Sequence, residues 1–250
     1  MRAAQAIRGL APIDAKSVAR DSMLRWLLVL PLLIALLMRW GVPPVTARLD
    51  ERFAFALEPY YALIASFMAM LAPMLVGIVI GFLLLDQRDD GTLAALRVTP
   101  VSLNGFLVYR IATPLVVSVA LTMVVVPITG LVEIHPLALF LVAVVASPLG
   151  PLFALFLASF ANNKVQGFAL MKAASILNWP PVIAYFLPSG WQWATGIVPT
   201  YWPAKLFWVL EAGEAGEVGW LGWMPYLVVG IAYQALLVAL LLRRFNRIVS

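Results

Sequence analysis

Five long stretches of this sequence contain no charged residue and no histidine, and each is long enough to cross a lipid bilayer as a helix. A transmembrane helix needs about 20 predominantly apolar residues. The uncharged stretches are residues 59–85, 111–132, 136–163, 173–204 and 218–242. Only 12% of the 250 residues are charged, so a soluble fold could not cover this much apolar surface. The pattern predicts an all-α integral membrane protein.

A further span is predicted before these five. The apolar segment between Arg25 and Arg39 is short, but both side chains can extend to the membrane surface while residues 21–40 cross as one helix. A cleaved signal peptide is disfavoured because no small-residue cleavage site follows. We predict a single domain over residues 1–250 with six transmembrane helices, at about residues 21–40, 59–85, 104–132, 136–162, 164–187 and 223–243.

Two segments beside the first span have patterns of their own. Residues 1–20 mix apolar and charged side chains as an amphipathic helix in the membrane surface does, although Pro12 lies within them. Residues 40–58 carry Pro43-Pro44 and charges of both signs. The second segment is therefore predicted to be an outer connecting loop.

Prolines and tryptophans mark interruptions in the later spans. Proline frees a carbonyl inside a membrane helix, so kinks or short unwound turns are predicted at the prolines of spans two to five. These prolines are Pro73, Pro114, Pro127, Pro148, Pro151, Pro180 and Pro181. Residues 187–223 form a long outer segment that holds six of the nine tryptophans. This segment is predicted either to anchor at the lipid headgroups or to re-enter the outer leaflet as a helix at residues 201–210.

The distribution of lysine and arginine orients the chain. With the N-terminus in the cytoplasm, thirteen of the 17 basic residues lie on the cytoplasmic side, and all glutamates lie on the outer side. This asymmetry follows the positive-inside rule and predicts that both termini are cytoplasmic. We expect a multi-pass protein of the inner (plasma) membrane, embedded in lipid. The basic residues are too dispersed to indicate a nucleic-acid partner.

Few residues are candidates for chemistry. The chain has no cysteine, and its single histidine, His135, lies in a short outer turn, so the usual catalytic and metal-binding patterns are missing. It also has no phosphate-binding loop of the Gly-x-x-x-x-Gly-Lys-Ser/Thr type. Lys172, inside the fifth span, either belongs to an ion pathway or extends to the cytoplasmic surface. We predict a chain that is not itself an enzyme and holds no metal or cofactor.

The most informative cytoplasmic segment, residues 86–102, joins the second and third spans. Its sequence, DQRDDGTLAALRVTPVS, predicts a short capped helix. The candidate N-terminal caps are Asp89, Asp90 and Thr92. Leu93 and Leu96 share one face, and Thr99-Pro100 ends the helix. The element either packs on the lipid surface or docks onto a partner.

Residues 86–102, together with Tyr109-Arg110, resemble the corresponding loop of type 2 ABC-transporter permeases, the membrane half of ATP-driven exporters. Further similarities are Arg20-Asp21, Pro180-Pro181 and residues 199–205. Asp86 stands where the family commonly has glutamate, and Arg110 where it often has lysine. The resemblance covers nearly the whole chain, which looks like the small multidrug and antibiotic exporter permeases.

The resemblance implies an N-terminal interface helix, a cytoplasmic coupling helix, a re-entrant outer segment and a division of labour between subunits. A separate cytoplasmic ABC ATPase would bind ATP and Mg²⁺. A second permease, identical or related, would complete the passage for an amphipathic or drug-like cargo moved outward. The residues expected to contact the ATPase are Asp86, Arg88, Asp90, Gly91, Thr92, Leu93, Leu96, Arg97, Thr99 and Pro100. The alternatives are an ion-coupled secondary transporter and a membrane assembly protein without transport.

Two further expectations concern spans two and five. An adaptable apolar surface for the cargo is expected along them, although ordinary helix packing explains the same side chains. Its residues are Phe67, Met68, Met70, Met74, Met171 and Ile176. The pattern Gly77-Ile-Val-Ile-Gly81 allows close helix approach, either at a subunit contact or within the chain.

Overall fold

The computed structural model describes residues 3–90, 103–211 and 220–249, and these residues form helices and short connections without a β-strand. The α-helices are α1 Ala3–Arg20, α2 Ser22–Phe53, α3 Tyr61–Asp89, α4 Leu103–Thr129, α5 Pro136–Ala146, α6 Leu149–Phe160, α7 Lys164–Ala174, α8 Trp179–Phe186, α9 Ser189–Gln192, α10 Tyr201–Glu211 and α11 Trp220–Val249. Short 3₁₀ helices cover Glu58–Tyr60, Ser175–Asn178 and Trp193–Ile197. The predicted all-α class is confirmed, as expected of a chain that must satisfy its own backbone hydrogen bonds in lipid.

Five helical stretches among the described residues are long and apolar enough to cross a membrane. They are Ser22–Phe53, Glu58–Asp89, Gly105–Thr129, Pro136–Phe160 and Gly222–Arg247. They overlap the predicted first, second, third, fourth and sixth spans, and the first of them extends well beyond its predicted end. The predicted fifth span consists of α7 and α8 with a 3₁₀ turn between them, just before Pro180-Pro181. The interruption there is confirmed, and the count of six spans stays a prediction.

Helix α3 lies at the centre of the bundle. In its most apolar stretch of 18 residues, 94% of the residues are buried. In the corresponding stretches of α2, α4 and α11 the buried share is only 11%, 28% and 17%. A helix that is apolar on every side has to be surrounded by others. The peripheral helices instead expose apolar side chains such as Leu37 and Val116, which suits contact with lipid.

Two glycines let α3 and α6 approach each other closely. A Cβ atom added at Gly77 would lie 2.2 Å from the carbonyl oxygen of Gly150, and one added at Gly81 would lie 2.9 Å from Leu157 Cδ1. Interiors packed this tightly have no room for an added methyl group against a backbone oxygen. The Gly77 and Gly81 pattern therefore serves a contact within the chain.

The fourth span is interrupted between α5 and α6, at Ser147-Pro148. Pro148 has no N–H, so the Val144 carbonyl loses its helical partner, and the Ser147 hydroxyl donates to it instead at 2.9 Å. The side-chain amide of Gln234 on α11 donates to the neighbouring Val145 carbonyl, also at 2.9 Å. The predicted break at Pro148 is confirmed, and side chains satisfy the backbone that it exposes. No unwound turn is present at the other predicted prolines of spans two to four, because α3, α4 and α6 continue as helices through Pro73, Pro114, Pro127 and Pro151.

The prediction of an outer loop at residues 40–58 is wrong over most of its length. Helix α2 continues through Pro43-Pro44 to Phe53 and ends where Ala54 adopts a left-handed conformation, with φ 49°. Residues 47–52, Ala-Arg-Leu-Asp-Glu-Arg, are mostly strong helix formers. Thr46 also fixes the extension, because its hydroxyl lies 2.8 Å from that of Tyr61.

Of the three candidate caps of the coupling helix, Asp89 is the last residue of α3, Asp90 follows it directly, and Thr92 lies outside the described residues. Helix α3 continues beyond its apolar part to Asp89, and the Asp90 N–H closes it by donating to the Asp86 carbonyl at 2.8 Å. A backbone hydrogen-bond ladder needs no apolar side chain to continue into water. The amphipathic helix predicted at residues 1–20 is present as α1, and Pro12 does not break it.

Candidate functional site

The residues predicted to contact an ATPase lie at the end of α3 and beyond it. Seven of them fall outside the described residues: Gly91, Thr92, Leu93, Leu96, Arg97, Thr99 and Pro100. Asp86, Arg88 and Asp90 are described and lie in the last turn of α3 or at its end. Helix α4 begins at Leu103, so both helices that flank the predicted coupling segment are visible.

Asp86 takes part in an ion-pair network at this end of the bundle. Lys164 Nζ lies 3.0 Å from Asp86 Oδ1 and 3.2 Å from Asp21 Oδ2. Lys164 is the first residue of α7, and Asp21 is the N-cap of α2, where it accepts hydrogen bonds from the N–H groups of Met23 and Leu24. The network joins the end of α3 to the beginnings of α2 and α7.

This network is partly open to solvent. Its three side chains are between 28% and 38% exposed, so each ion pair contributes about 1 kcal/mol or less. Burial raises the pKa of Asp21, but the hydrogen bond from Leu24 and the charge of Lys164 together hold that pKa below its ordinary value. Asp21 therefore stays ionised at neutral pH, and Lys164 bridges two carboxylates.

Arg88 holds the neighbouring end of α6. Its Nη2 donates to the Ala161 carbonyl oxygen at 2.7 Å, directly after the last residue of that helix. Arg244 from α11 lies 4.1 Å from the Phe160 ring centroid, and its Nε donates to the Ser159 carbonyl oxygen at 3.5 Å. Basic groups complement the partial negative charge at the C-terminal end of a helix. Arg88 and Arg244 thus tie α6 to α3 and α11.

A second network is buried, and it joins α1 to the bundle. Arg110 of α4 forms a two-pronged ion pair with Asp14 of α1, with N···O distances of 2.7 and 3.1 Å. The Tyr109 hydroxyl donates to the same carboxylate at 2.7 Å, and Arg110 donates to Gln87 Oε1 of α3 at 2.8 Å. Arg110 is 3% and Asp14 6% exposed. Each buried charge is compensated by the other, which is the condition for burying either.

Sequence reasoning finds only part of the buried network. The resemblance to type 2 permeases points to Tyr109-Arg110, but the sequence assigns no role to Asp14 or Gln87. A usable signal exists, because Arg110 lies inside the predicted third span and a cation at that depth needs a partner. Asp14 is an acid that the predicted surface helix places at the same face of the membrane.

The residues predicted to line a cargo path are not exposed together. Met68, Met70 and Met74 are at most 4% exposed and pack inside the core of the chain. Phe67 and Met171 are half-buried against that core, whereas Ile176 is 66% exposed. Packing accounts for the three buried methionines. The cargo path along spans two and five stays a prediction.

Lys172 lies exposed on α7. It forms no ion pair with any residue of the described ranges. An exposed lysine on a predicted span can extend along the helix to the membrane surface, in line with one of the two interpretations of this residue.

The tryptophan-rich outer segment contributes a buried helix. Helix α10 packs against α3, α5 and α11, and its Trp202 and Trp208 are 5% and 8% exposed. The Trp208 indole N–H donates to the Ser66 hydroxyl of α3 at 3.1 Å. Trp191, in contrast, is 71% exposed. Anchoring at headgroups therefore suits Trp191 but not α10, which lies among the spanning helices.

Comparison with known proteins identifies the family of the chain. The family model described as "Fluoroquinolones export permease protein Rv2686c-like" matches residues 14–242. The chain belongs to this export permease family. Two relatives from Mycobacterium tuberculosis are named fluoroquinolones export permease proteins: Rv2686c of strain ATCC 25618 / H37Rv and MT2760 of strain CDC 1551 / Oshkosh. Each is 35% identical over 236 residues, which cover 93% of this chain and 91% of the relative. No solved structure matches the chain.

Membership in the Rv2686c-like export permeases confirms the predicted resemblance to type 2 ABC-transporter permeases. Together with the long apolar helices, it shows that the chain is a multi-pass membrane protein and a permease for export. The matched range begins at Asp14 and contains every residue of the two ion-pair networks. Both networks therefore lie within the range that the family model matches.

Proposed function

We propose that this export permease is the membrane half of an ATP-driven exporter and works with a separate cytoplasmic ABC ATPase. The observation that supports this most is the position of the two ion-pair networks. Asp86 and Gln87 lie just before residues 91–102, Tyr109-Arg110 lies just after them, and each is joined to another helix. A displacement of the segment would be passed to α1, α2 and α7 instead of being absorbed locally.

In the proposed cycle, ATP and Mg²⁺ bind to the ATPase subunits, and their closure moves the coupling helix predicted within residues 86–102. Leu93 and Leu96 are its docking side chains. Coupling requires two arrangements of the spanning helices and contacts with the ATPase that differ between them. The interruptions at Ser147-Pro148 and Ser175–Asn178 are the places where the spans can change direction at least cost, because the regular α-helical hydrogen-bond pattern is already interrupted there.

We further propose that a second permease packs against the exposed apolar face of α7 and α8. Ile176, Trp179 and Phe186 on this face are 66%, 63% and 63% exposed. One chain alone leaves this large apolar face uncovered, and a contiguous face of this kind is typical of a protein or lipid contact. Cargo would then cross between the two copies, near the exposed side of the fifth span.

The chain has no cysteine, so disulfide crosslinking of a single introduced cysteine tests this contact directly. We expect Ile176→Cys to crosslink two copies in membranes under mild oxidation. The matched control is Leu240→Cys on α11, which is also exposed (50%) but lies on another helix. Equal crosslinking of both variants would indicate random collision, and crosslinking of Leu240→Cys alone would move the interface to α11.

The proposed cargo is an amphipathic, drug-like molecule moved outward, and the fluoroquinolones named for the relatives are the first candidates. We place the permease in the inner (plasma) membrane with both termini in the cytoplasm, on the strength of the asymmetric distribution of basic residues. In this orientation α1 and both ion-pair networks face the ATPase.

Co-purification of a tagged copy from its native membrane tests the ATPase partnership. We expect a stoichiometric ATPase subunit and ATP hydrolysis, and we expect Leu93→Asp to release the ATPase and abolish drug export while the protein still inserts. Leu93→Met is the control, because it keeps an apolar side chain of similar volume. Normal export by Leu93→Asp would refute docking through this segment. A partner-free protein that still transports would instead support an ion-coupled carrier.

A further inference from the structure

A cleft of about 450 Å³ lies between α1 and the helices α2, α3 and α4, and none of the contacts described so far fills it. Its size is within the range of sites that hold small ligands. The apolar walls are formed by Val18, Leu28, Val76, Ile80, Leu83 and Val117. On the side of α1 the lining side chains are mainly alanines, among them Ala15, which leaves the cleft open.

The polar groups that line the cleft already have partners, with one exception. The Asp14 carboxylate accepts from Arg110 and Tyr109, and the Tyr109 hydroxyl also interacts with Thr113. Arg25, in the first turn of α2, forms no ion pair with any residue that the structure describes. A ligand in this cleft would meet apolar walls and one available positive charge.

The residues around Arg25 indicate the depth of the cleft in a membrane. Trp26, the next residue, is 64% exposed, and Val29, one turn further along α2, is 43% exposed. Exposed tryptophan favours the level of the lipid headgroups, and exposed valine favours the hydrocarbon. Arg25 therefore lies at the level of lipid phosphates, with the cleft beside the acyl chains.

We propose that this cleft binds an anionic phospholipid from the adjacent leaflet, with one acyl chain between α1 and α4 and the phosphate at Arg25. An acyl chain fills apolar walls without burying any unpaired polar atom. A polar aromatic drug of comparable size would press most of its ring nitrogens and oxygens against the same apolar walls, where Arg25 is the one charged lining group of the described residues without an ion-pair partner. The charge of Arg25 selects anionic over zwitterionic headgroups.

The bound lipid would act on the N-terminal helix. Its acyl chain would add apolar contact between α1 and the spanning helices, next to the pair of Asp14 and Arg110. Anionic lipid would therefore hold α1 against the bundle. This site is independent of ATP coupling, so its test does not depend on the function proposed above.

Lipid retention by the purified full-length protein tests the site. The protein is reconstituted into nanodiscs of phosphatidylcholine alone or of an equal mixture with phosphatidylglycerol, extracted into detergent, and analysed by native mass spectrometry. We expect preferential retention of one phosphatidylglycerol per chain. We expect Arg25→Gln to weaken retention about fivefold, which corresponds to the roughly 1 kcal/mol that one basic side chain near an anionic surface contributes. Arg25→Lys should retain the lipid, and the control Arg20→Gln, outside the cleft, should match the wild type.

A second variant fills the cleft without changing its charge. Ala15→Phe should displace the lipid, whereas Ser17→Phe, on the other side of α1, should not. Wild-type retention by both Arg25→Gln and Ala15→Phe would overturn the proposal, and so would equal retention of phosphatidylcholine. Displacement of phosphatidylglycerol by a fluoroquinolone, with drug binding lost in Ala15→Phe, would assign the cleft to cargo and also overturn it.

Discussion

Removal of the Asp14 carboxylate should loosen the N-terminal helix from the bundle. Arg110 is 3% exposed, and in Asp14→Ala it would keep its charge with only Gln87 Oε1 as an acceptor. Removing one partner of a buried ion pair typically costs about 3–5 kcal/mol, because the remaining charge is uncompensated. The Tyr109 hydroxyl would also lose its acceptor. Water can reach the site once α1 moves, so the two losses do not simply add. We expect the free energy of unfolding to fall by about 3–5 kcal/mol in total.

Thermal unfolding of the detergent-purified protein measures this loss. For a chain of 250 residues, 1 kcal/mol shifts Tm by roughly 2–4 °C, so Asp14→Ala should lower Tm by about 6–20 °C. Hydrogen exchange then shows where the stability is lost. The backbone amides of α1 should exchange faster in the variant, while those of the buried α3 change less.

A double variant separates charge from packing. Replacement of both partners of a buried ion pair by apolar residues is often neutral or stabilising. Asp14→Leu combined with Arg110→Leu should therefore recover most of the lost Tm. If the double variant is as unstable as Asp14→Ala, the loss of stability comes from packing and not from the uncompensated charge. Wild-type Tm and unchanged exchange of α1 in Asp14→Ala would refute the reasoning altogether.

Three further predictions use thermal unfolding as the assay. Gly77→Ala should cost at least about 1–3 kcal/mol, because its Cβ would lie 2.2 Å from a backbone oxygen, whereas Gly41→Ala, with nothing within 4 Å, should be neutral or stabilise by up to about 1 kcal/mol. Lys164→Gln should change stability by about 1 kcal/mol or less because its partners are partly exposed, and a much larger loss would show that the network is more buried than described. Trp208→Phe should cost at least about 1 kcal/mol, because it removes the hydrogen bond to Ser66 and leaves a smaller ring in a buried position, and an unchanged Tm would mean that neither adds net stability.

Most of the spanning helices could be predicted from the sequence because lipid imposes a simple rule. A helix that crosses the hydrocarbon must be apolar over a fixed length, and this length can be counted residue by residue. The rule fails outside the hydrocarbon. The rule predicts that the first span ends near Trp40 and the second at Leu85. In the structure, α2 continues to Phe53 and α3 to Asp89.

The candidate site was predictable only in part, for a related reason. Asp86 and Arg88 stand out as charges beside an apolar stretch, and the resemblance points to the segment that follows them. Asp14 and Lys164 do not stand out, because a charged residue near a membrane surface is ordinary. Their partners are 96 and 143 residues away in the sequence, and local pattern carries no information about pairing over that distance.

That the chain is a membrane protein with helical spans, and that it resembles the permeases of ATP-driven exporters, can be inferred without any coordinates. These properties depend on composition, on length and on a local motif. Three further features become known only once the chain is folded: Gly77 packs against Gly150 within the chain, α10 lies among the spans, and Arg110 is neutralised by Asp14. The difference arises because lipid selects which residues are apolar, whereas close packing and the pairing of buried charges select which residues come into contact.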